Sequence, residues 1–147
     1  MISREGILSL IPHQGSMCLW DRVLAWDETA IHLSAGNHRD AAHPLRADGR
    51  LHAVHLCEYG AQAMAVHGGL LARGAGGIAP PGMLVALRGV ELHAARIDDL
   101  PGDLECHAEV LAQSPVSQQY AFRIIHAGTL LAEGRAAVML QAPPPAG

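Results

Sequence analysis

The sequence predicts an α+β domain in which a curled antiparallel sheet wraps one long central helix. Two observations predict it. The segment His52 to Arg73 is rich in Ala, Met, Leu and Gln, and beyond its first turns it is apolar on nearly every side. Around it lie segments that alternate apolar and polar residues, as half-buried strands do. A sheet with one helix covers only one of its faces. A helix apolar all round therefore needs a sheet that curls about it, or a second subunit that closes over it, so dimerisation is expected.

The elements follow in order. Ser3 to Leu10 reads as a short helix with an apolar edge of Ile7, Leu8 and Ile11, ended by Pro12. Met17 to Trp26 reads as a strand, Asp27-Glu28 as a turn, and Thr29 to Ala35 as an alternating strand. Gly36 to Leu51 is a polar loop rich in His, Arg and Asp, of the kind that often carries function. The long helix occupies His52 to Arg73, and Gly74 to Pro81 is a linker. Met83 to Ile97 reads as one long strand with a bulge near Gly89. Pro101-Gly102 is a turn before the strand Asp103 to Gln113, and Ser114-Pro115 is another. Ser117 to His126 and Thr129 to Leu140 form a hairpin about Ala127-Gly128. Residues 1–142 make a single domain, followed by a Pro-rich tail over 143–147.

Composition narrows the function. The 147 residues are 50% hydrophobic and 16% charged, enough for one packed core and too apolar for disorder. All cationic side chains are Arg, and the absence of Lys excludes a Schiff base or a lysine nucleophile. The arginines are scattered with no aromatic interleaving, which argues against nucleic acid. Cys18, Cys57 and Cys106 are odd in number and widely spaced, unlike a disulfide framework. No apolar run approaches the roughly 20 residues of a membrane span, and the N-terminal apolar stretch is too short for a signal peptide. A cytoplasmic protein is the expectation.

Glu58 is the strongest candidate for chemistry. It sits in an apolar helix near the N-terminus, flanked by Leu56, Cys57, Tyr59, Gly60 and Ala61. Burial there raises a carboxyl pKa and the helix N-terminus lowers it, a balance suited to general acid–base work. Gln62 at i+4 and His55 at i−3 share its helix face, so a polar stripe is expected, with Gln62 as a substrate contact or as part of a self-satisfied ladder. His13, His38 and His43 lie in loops that chain folding could bring to Glu58. His52, His55 and Glu58 do not form the zinc-protease pattern, and no metal or other cofactor is expected. Cys57 beside a carboxylate is not an activated nucleophile, and no Gly-x-Ser-x-Gly elbow is present.

Two stretches resemble a known family. Ile11-Pro12-His13-Gln14-Gly15-Ser16-Met17-Cys18-Leu19-Trp20-Asp21-Arg22-Val23 resembles the opening Leu-Pro-His…Leu-Val-Asp-Arg-Val segment of the hot-dog-fold, FabZ-like 3-hydroxyacyl-[acyl-carrier-protein] dehydratases. Glu58-Tyr59-Gly60-Ala61-Gln62-Ala63-Met64-Ala65 resembles their helix, above all in the ApeP type found with aryl-polyene pigment synthesis. One departure stands out. The family's His-Phe-Pro-Gly, whose His is the base, is here His43-Pro44-Leu45-Arg46. The resemblance therefore puts the base at His13 first and His43 second.

The resemblance implies dehydration of a 3-hydroxyacyl thioester to the trans-2-enoyl thioester. A His would take the α proton, and Glu58 would help the 3-hydroxyl leave. Backbone N–H groups near Ala53 and Val54 would bind the thioester oxygen. The implied partners are an acyl carrier protein, met by Arg39, Arg46, Arg50 and Arg73, and an identical or related hot-dog subunit. Two other readings stay open: a hot-dog thioesterase using the helix carboxylate, and a degenerate subunit that completes another dehydratase.

Overall fold

The computed structural model describes residues 1–12, 14–74, 76 and 82–140. In chain order the elements are β1 (Ile2–Ser3), α1 (Arg4–Leu8), β2 (Arg22–Trp26), β3 (Ala30–Ala35), α2 (Leu56–Gly74), β4 (Gly82–Leu92), β5 (Leu104–Gln113), β6 (Ser117–His126) and β7 (Thr129–Leu140). Short 3-10 turns occupy Gly15–Met17, Asn37–Arg39 and Ala53–His55. All seven strands join one antiparallel sheet in the order β1-β2-β3-β5-β6-β7-β4. Helix α2 lies against β3, β5, β6 and β7, which gives the predicted sheet curled around one helix.

Local chemistry explains most boundaries. Ser3 caps α1, its hydroxyl accepting the Gly6 N–H at 3.4 Å. Asp27 caps the turn into β3 by accepting the Thr29 and Ala30 N–H groups, each at 2.8 Å. The β6–β7 hairpin turns on Ala127 (φ 48°) and Gly128 (φ 81°), as expected from their place between two alternating runs.

Three expectations are corrected. The strand expected over Met17 to Trp26 is only β2, because Cys18 to Trp20 run as a buried extended segment tied to α2 instead of to a neighbouring strand. The strand expected to reach Ile97 leaves the sheet after Leu92. Its continuation clamps the entrance to α2: the Ala53 N–H donates to Ala95 O at 3.0 Å and the Ile97 N–H to Leu51 O at 2.9 Å. The bulge near Gly89 is present, with φ +59° and a register shift between Arg88 and Glu91. Of the expected linker, Gly74 ends the helix and Gly76 takes φ +80°. The rest of the linker before β4, His13 and the Pro-rich tail lie outside the described residues.

The third correction concerns α2 itself. Leu56, Tyr59, Gly60, Gln62, Ala63, Met64, Val66, His67, Gly69 and Leu70 are buried, but Glu58 is exposed and Ala61, Ala65, Gly68 and Ala72 are only half-buried. These positions recur every three or four residues and so form one face. The chain's own sheet covers the rest of the helix and leaves that face open.

The core is built as a low aromatic content demands. Four of the five aromatic residues, Trp20, Tyr59, Tyr120 and Phe122, are fully buried among aliphatic side chains. Gly60 lets α2 sit on Phe122: a Cβ there would lie 2.7 Å from the ring. His67 is buried between two partners, its Nε2–H donating to Asp27 O at 2.8 Å and its Nδ1 accepting the Tyr120 hydroxyl at 2.7 Å.

Two predictions follow from these features. An alanine with positive φ is strained where Asn or Gly is at ease. Ala127→Gly or Ala127→Asn is expected to raise stability by about 0.5–1 kcal/mol in urea unfolding. Burial also pushes the pKa values of His38, His43 and His67 below the ordinary histidine value. The unfolded chain, titrating near about 6.5, then binds protons that the folded chain refuses. Stability is complete above that pH and falls as the pH drops through it toward the folded-state values. Urea midpoints that stay flat from about pH 7.5 to about pH 5 would refute this linkage.

Candidate active site

The open face of α2 carries Glu58. Its side chain is 52% exposed, not buried as its apolar sequence neighbours suggested. The physical reason is helical phase: Tyr59 and Gly60 turn into the sheet, and Glu58 falls at the rim of the face that the half-buried Ala61 and Ala65 share. His55, one turn earlier, brings its Nδ1 to 3.7 Å from Glu58 Oε1. That is too long for a hydrogen bond and within ion-pair reach when the imidazole is protonated. His55 was the weaker sequence candidate, since i−3 spacing alone does not tell a pair from two neighbours.

Gln62 does not continue this stripe. It is 6% exposed, its Oε1 accepts the Leu19 N–H at 2.8 Å, and its Nε2 donates to Met17 O at 2.6 Å. Both ends of the amide are spent on backbone, so the side chain fastens the 17–19 segment to α2. The Trp20 indole N–H makes a second fastening, to Tyr59 O at 2.8 Å. Arg4 holds the same segment from outside through Trp20 O, Gly15 O and the Asp21 carboxylate. The motif that includes His13 is thus anchored downstream of that residue to the helix of Glu58.

His43 is placed differently from a free base. Its Nδ1 accepts the Leu45 N–H at 3.1 Å, which leaves the proton on Nε2 to donate to the Tyr59 hydroxyl at 2.9 Å. That hydroxyl donates onward to Asn37 Oδ1 at 2.6 Å, and the Asn37 amide reaches Leu19 O at 2.8 Å. Burial lowers the His43 pKa and, with the negative Asp21 as a lesser contribution, lifts that of Tyr59 above its usual range. Both are neutral links in a chain that binds the 36–45 loop to α2. His38 is committed through one nitrogen, its Nε2 meeting Leu100 O at 2.9 Å, while its buried Nδ1 finds no partner among the described residues.

The expected oxyanion donors separate. The Ala53 N–H is taken by Ala95 O. Val54, at the open end of the helix, is 55% exposed. Of the four arginines suggested for a carrier protein, Arg46 is tied to Gly49 O and His38 O, and Arg73 to Ser9. Arg39 and Arg50 are exposed and make no side-chain hydrogen bond among the described residues.

This architecture is the hot-dog fold. One chain of the dehydratase heterocomplex ApeI:P from Xenorhabdus doucetiae superposes with a TM-score of 0.83 at 23% identity, over 92% of this chain and 91% of that one. Zebrafish thioesterase superfamily member 2 superposes at 0.66, with 17% identity over 94% and 95% of the two chains. A hypothetical thioesterase from Streptococcus pneumoniae, solved with coenzyme A, gives 0.60 at 12% identity over 82% and 85%. At these identities the likeness speaks for the fold. The family is settled by sequence: residues 6–144 match the ApeP-like family, described as ApeP dehydratase, and the chain belongs to it. No curated protein matches the sequence.

Fastening by Gln62 has a measurable consequence. Gln62→Leu keeps the volume but leaves the Leu19 N–H and the Met17 carbonyl unpaired. It is expected to cost about 1–3 kcal/mol in urea unfolding.

Proposed function

We propose that this protein dehydrates a 3-hydroxyacyl thioester, carried on an acyl carrier protein, to the trans-2-enoyl thioester in fatty-acid-like or polyene synthesis. The observation that carries the reading is the placement of Glu58 in a member of a dehydratase family. The carboxylate stands on the one face of α2 that its own sheet leaves open, beside the segment fastened by Gln62 and Trp20. A thioester laid along the small residues Ala61 and Ala65 would meet Glu58 at their N-terminal end.

In this reading His13 takes the proton α to the carbonyl, and Glu58, directly or through a water, supplies a proton to the departing 3-hydroxyl, which leaves as water. The commitment of both His43 ring nitrogens supports His13 over His43 as the base. The exposed Val54 N–H, at the start of the helix, is the remaining donor for the thioester oxygen as enolate charge develops. Arg39 and Arg50 supply positive charge for an acidic carrier.

The protein works as a dimer, with itself or with a related hot-dog subunit. Support comes from β4, which ends the sheet with an unpaired edge and exposes Leu84, Val85, Leu87 and Leu92. An apolar edge of this kind is a template for another chain. A partner there would also lie near the open face of α2 and exclude water from Glu58. Three free thiols, Cys18, Cys57 and Cys106, suit the reducing cytoplasm as its place of work.

The test supplies 3-hydroxyacyl carrier-protein thioesters to the protein, alone and with a related dehydratase subunit, and follows products by mass spectrometry. Loss of water from the substrate is expected, reduced about 10²–10⁴-fold in Glu58→Gln and in His13→Ala. Thermal melting of Glu58→Gln should match the parent, because the side chain is exposed. Release of free acid and thiol would make the protein a thioesterase. Turnover only in the mixed assembly, unaffected by Glu58→Gln, would make this chain a completing subunit.

A further inference from the structure

Away from α2, on the outer face of the sheet, three metal-ligating side chains converge. Glu91, His93 and Glu133 each bring a ligand atom to within 4.8 Å of the other two. Glu91 belongs to β4 and faces Glu133 of β7 directly in register. Two carboxylates opposite each other across an antiparallel pair repel and cost stability. Among the described residues, neither carboxylate has an arginine within 4.0 Å, and the ion-pair contact present is His93 Nε2 to Glu91 Oε2 at 3.8 Å. Arg123 stands opposite Glu133 on the β6 side, and Arg135 lies two residues further along β7.

The backbone makes this convergence. Before the bulge Arg88 pairs with Arg135, and an unbroken register would then set Glu91 against Ala132, which is buried. The extra residue at Gly89-Val90 shifts the register by one, so that Glu91 meets Glu133 instead. A one-residue shift exchanges the two faces of a strand. Val90 takes the inward place, packing toward Gly134, and Glu91 and His93 come to the side of Glu133. The N–H of His93 is still held by Leu131 O at 2.8 Å, which fixes the imidazole beside β7.

We propose that Glu91, His93 and Glu133 bind a divalent ion of the zinc class on the β4–β7 seam. Two carboxylates neutralise the dication, and the imidazole nitrogen selects zinc-like ions over magnesium or calcium, which prefer oxygen alone. Bonds of about 2.0–2.2 Å place donors about 3–4 Å apart. His93 and Glu91 already have that separation, and rotation of the exposed carboxylates closes the rest. Water completes the coordination shell. The site is independent of the dehydration chemistry and does not involve Glu58.

Zinc chloride alone is titrated into the purified protein by calorimetry in a non-coordinating buffer, with cobalt(II) absorption as a second readout. One ion per chain is expected at micromolar free metal. His93→Ala and Glu133→Gln should each weaken it about tenfold or more, while His107→Ala on the same sheet face should leave it unchanged. In chelator His93→Ala should melt as the parent does and Glu133→Gln, which relieves the repulsion from Glu91, at or slightly above it, whereas zinc should raise the melting temperature of the parent and of His107→Ala but not of His93→Ala or Glu133→Gln. No uptake at micromolar zinc, or uptake that His93→Ala and Glu133→Gln leave intact, would overturn the proposal.

Discussion

Close seating of α2 on the sheet is the constraint on which the rest of this structure depends. Gly60 is pressed against the Phe122 ring and Gly69 against the backbone oxygen of Leu10, at distances that admit no Cβ. The helix gains close contact with β5, β6 and Leu10, just past α1, by giving up two side chains. A glycine inside a helix costs about 0.5–1 kcal/mol relative to alanine, and the packing gained must exceed that. Seating so deep also fixes the helical phase, and phase decides which residues reach solvent.

Polar fastenings then lock that phase. Gln62, Trp20 and the His43–Tyr59–Asn37 chain join α2 to the two segments that carry the remaining recognisable residues. These groups are buried, and each finds a partner, as a low-dielectric interior requires. Several residues with an obvious chemical look are thereby spent on architecture. His43, Gln62 and His67 each use both polar ends of the side chain inside the fold. Glu58 is held by nothing so firm: its side chain is half exposed, with only the His55 imidazole within ion-pair distance.

The same division runs through the sheet. Its inner face is mainly apolar, whereas its outer face carries a polar row that passes from His32 and His107, stacked 4.0 Å apart, through Arg123 to Glu133 and Glu91. The bulge at Gly89 sets which side chains of β4 join this row. At the same edge β4 pairs with β7 on one side only and exposes Leu84, Leu87 and Leu92. A hot-dog domain of this kind builds its core from its own residues and leaves one face of its central helix open.

The sequence by itself determined the α+β class, the order of the elements, the long central helix α2 and the β6–β7 hairpin. Those depend on periodicity and turn chemistry, which are local. The two family motifs were equally legible, because they are contiguous runs of residue types. Other features were decided only by tertiary structure. Apolar neighbours suggested that Glu58 is buried, yet neighbours in a helix point in different directions and only the sheet fixes which direction is inward. Residues 17–20 have a strand's composition, and the hydrogen bonds that make them a strap come from Gln62 and Tyr59, far along the chain. A loop histidine looks the same in sequence whether its nitrogens are free or taken. Glu91, His93 and Glu133 belong together only because one extra residue at Gly89 changes a register, and register is a relation between strands that neither strand contains alone.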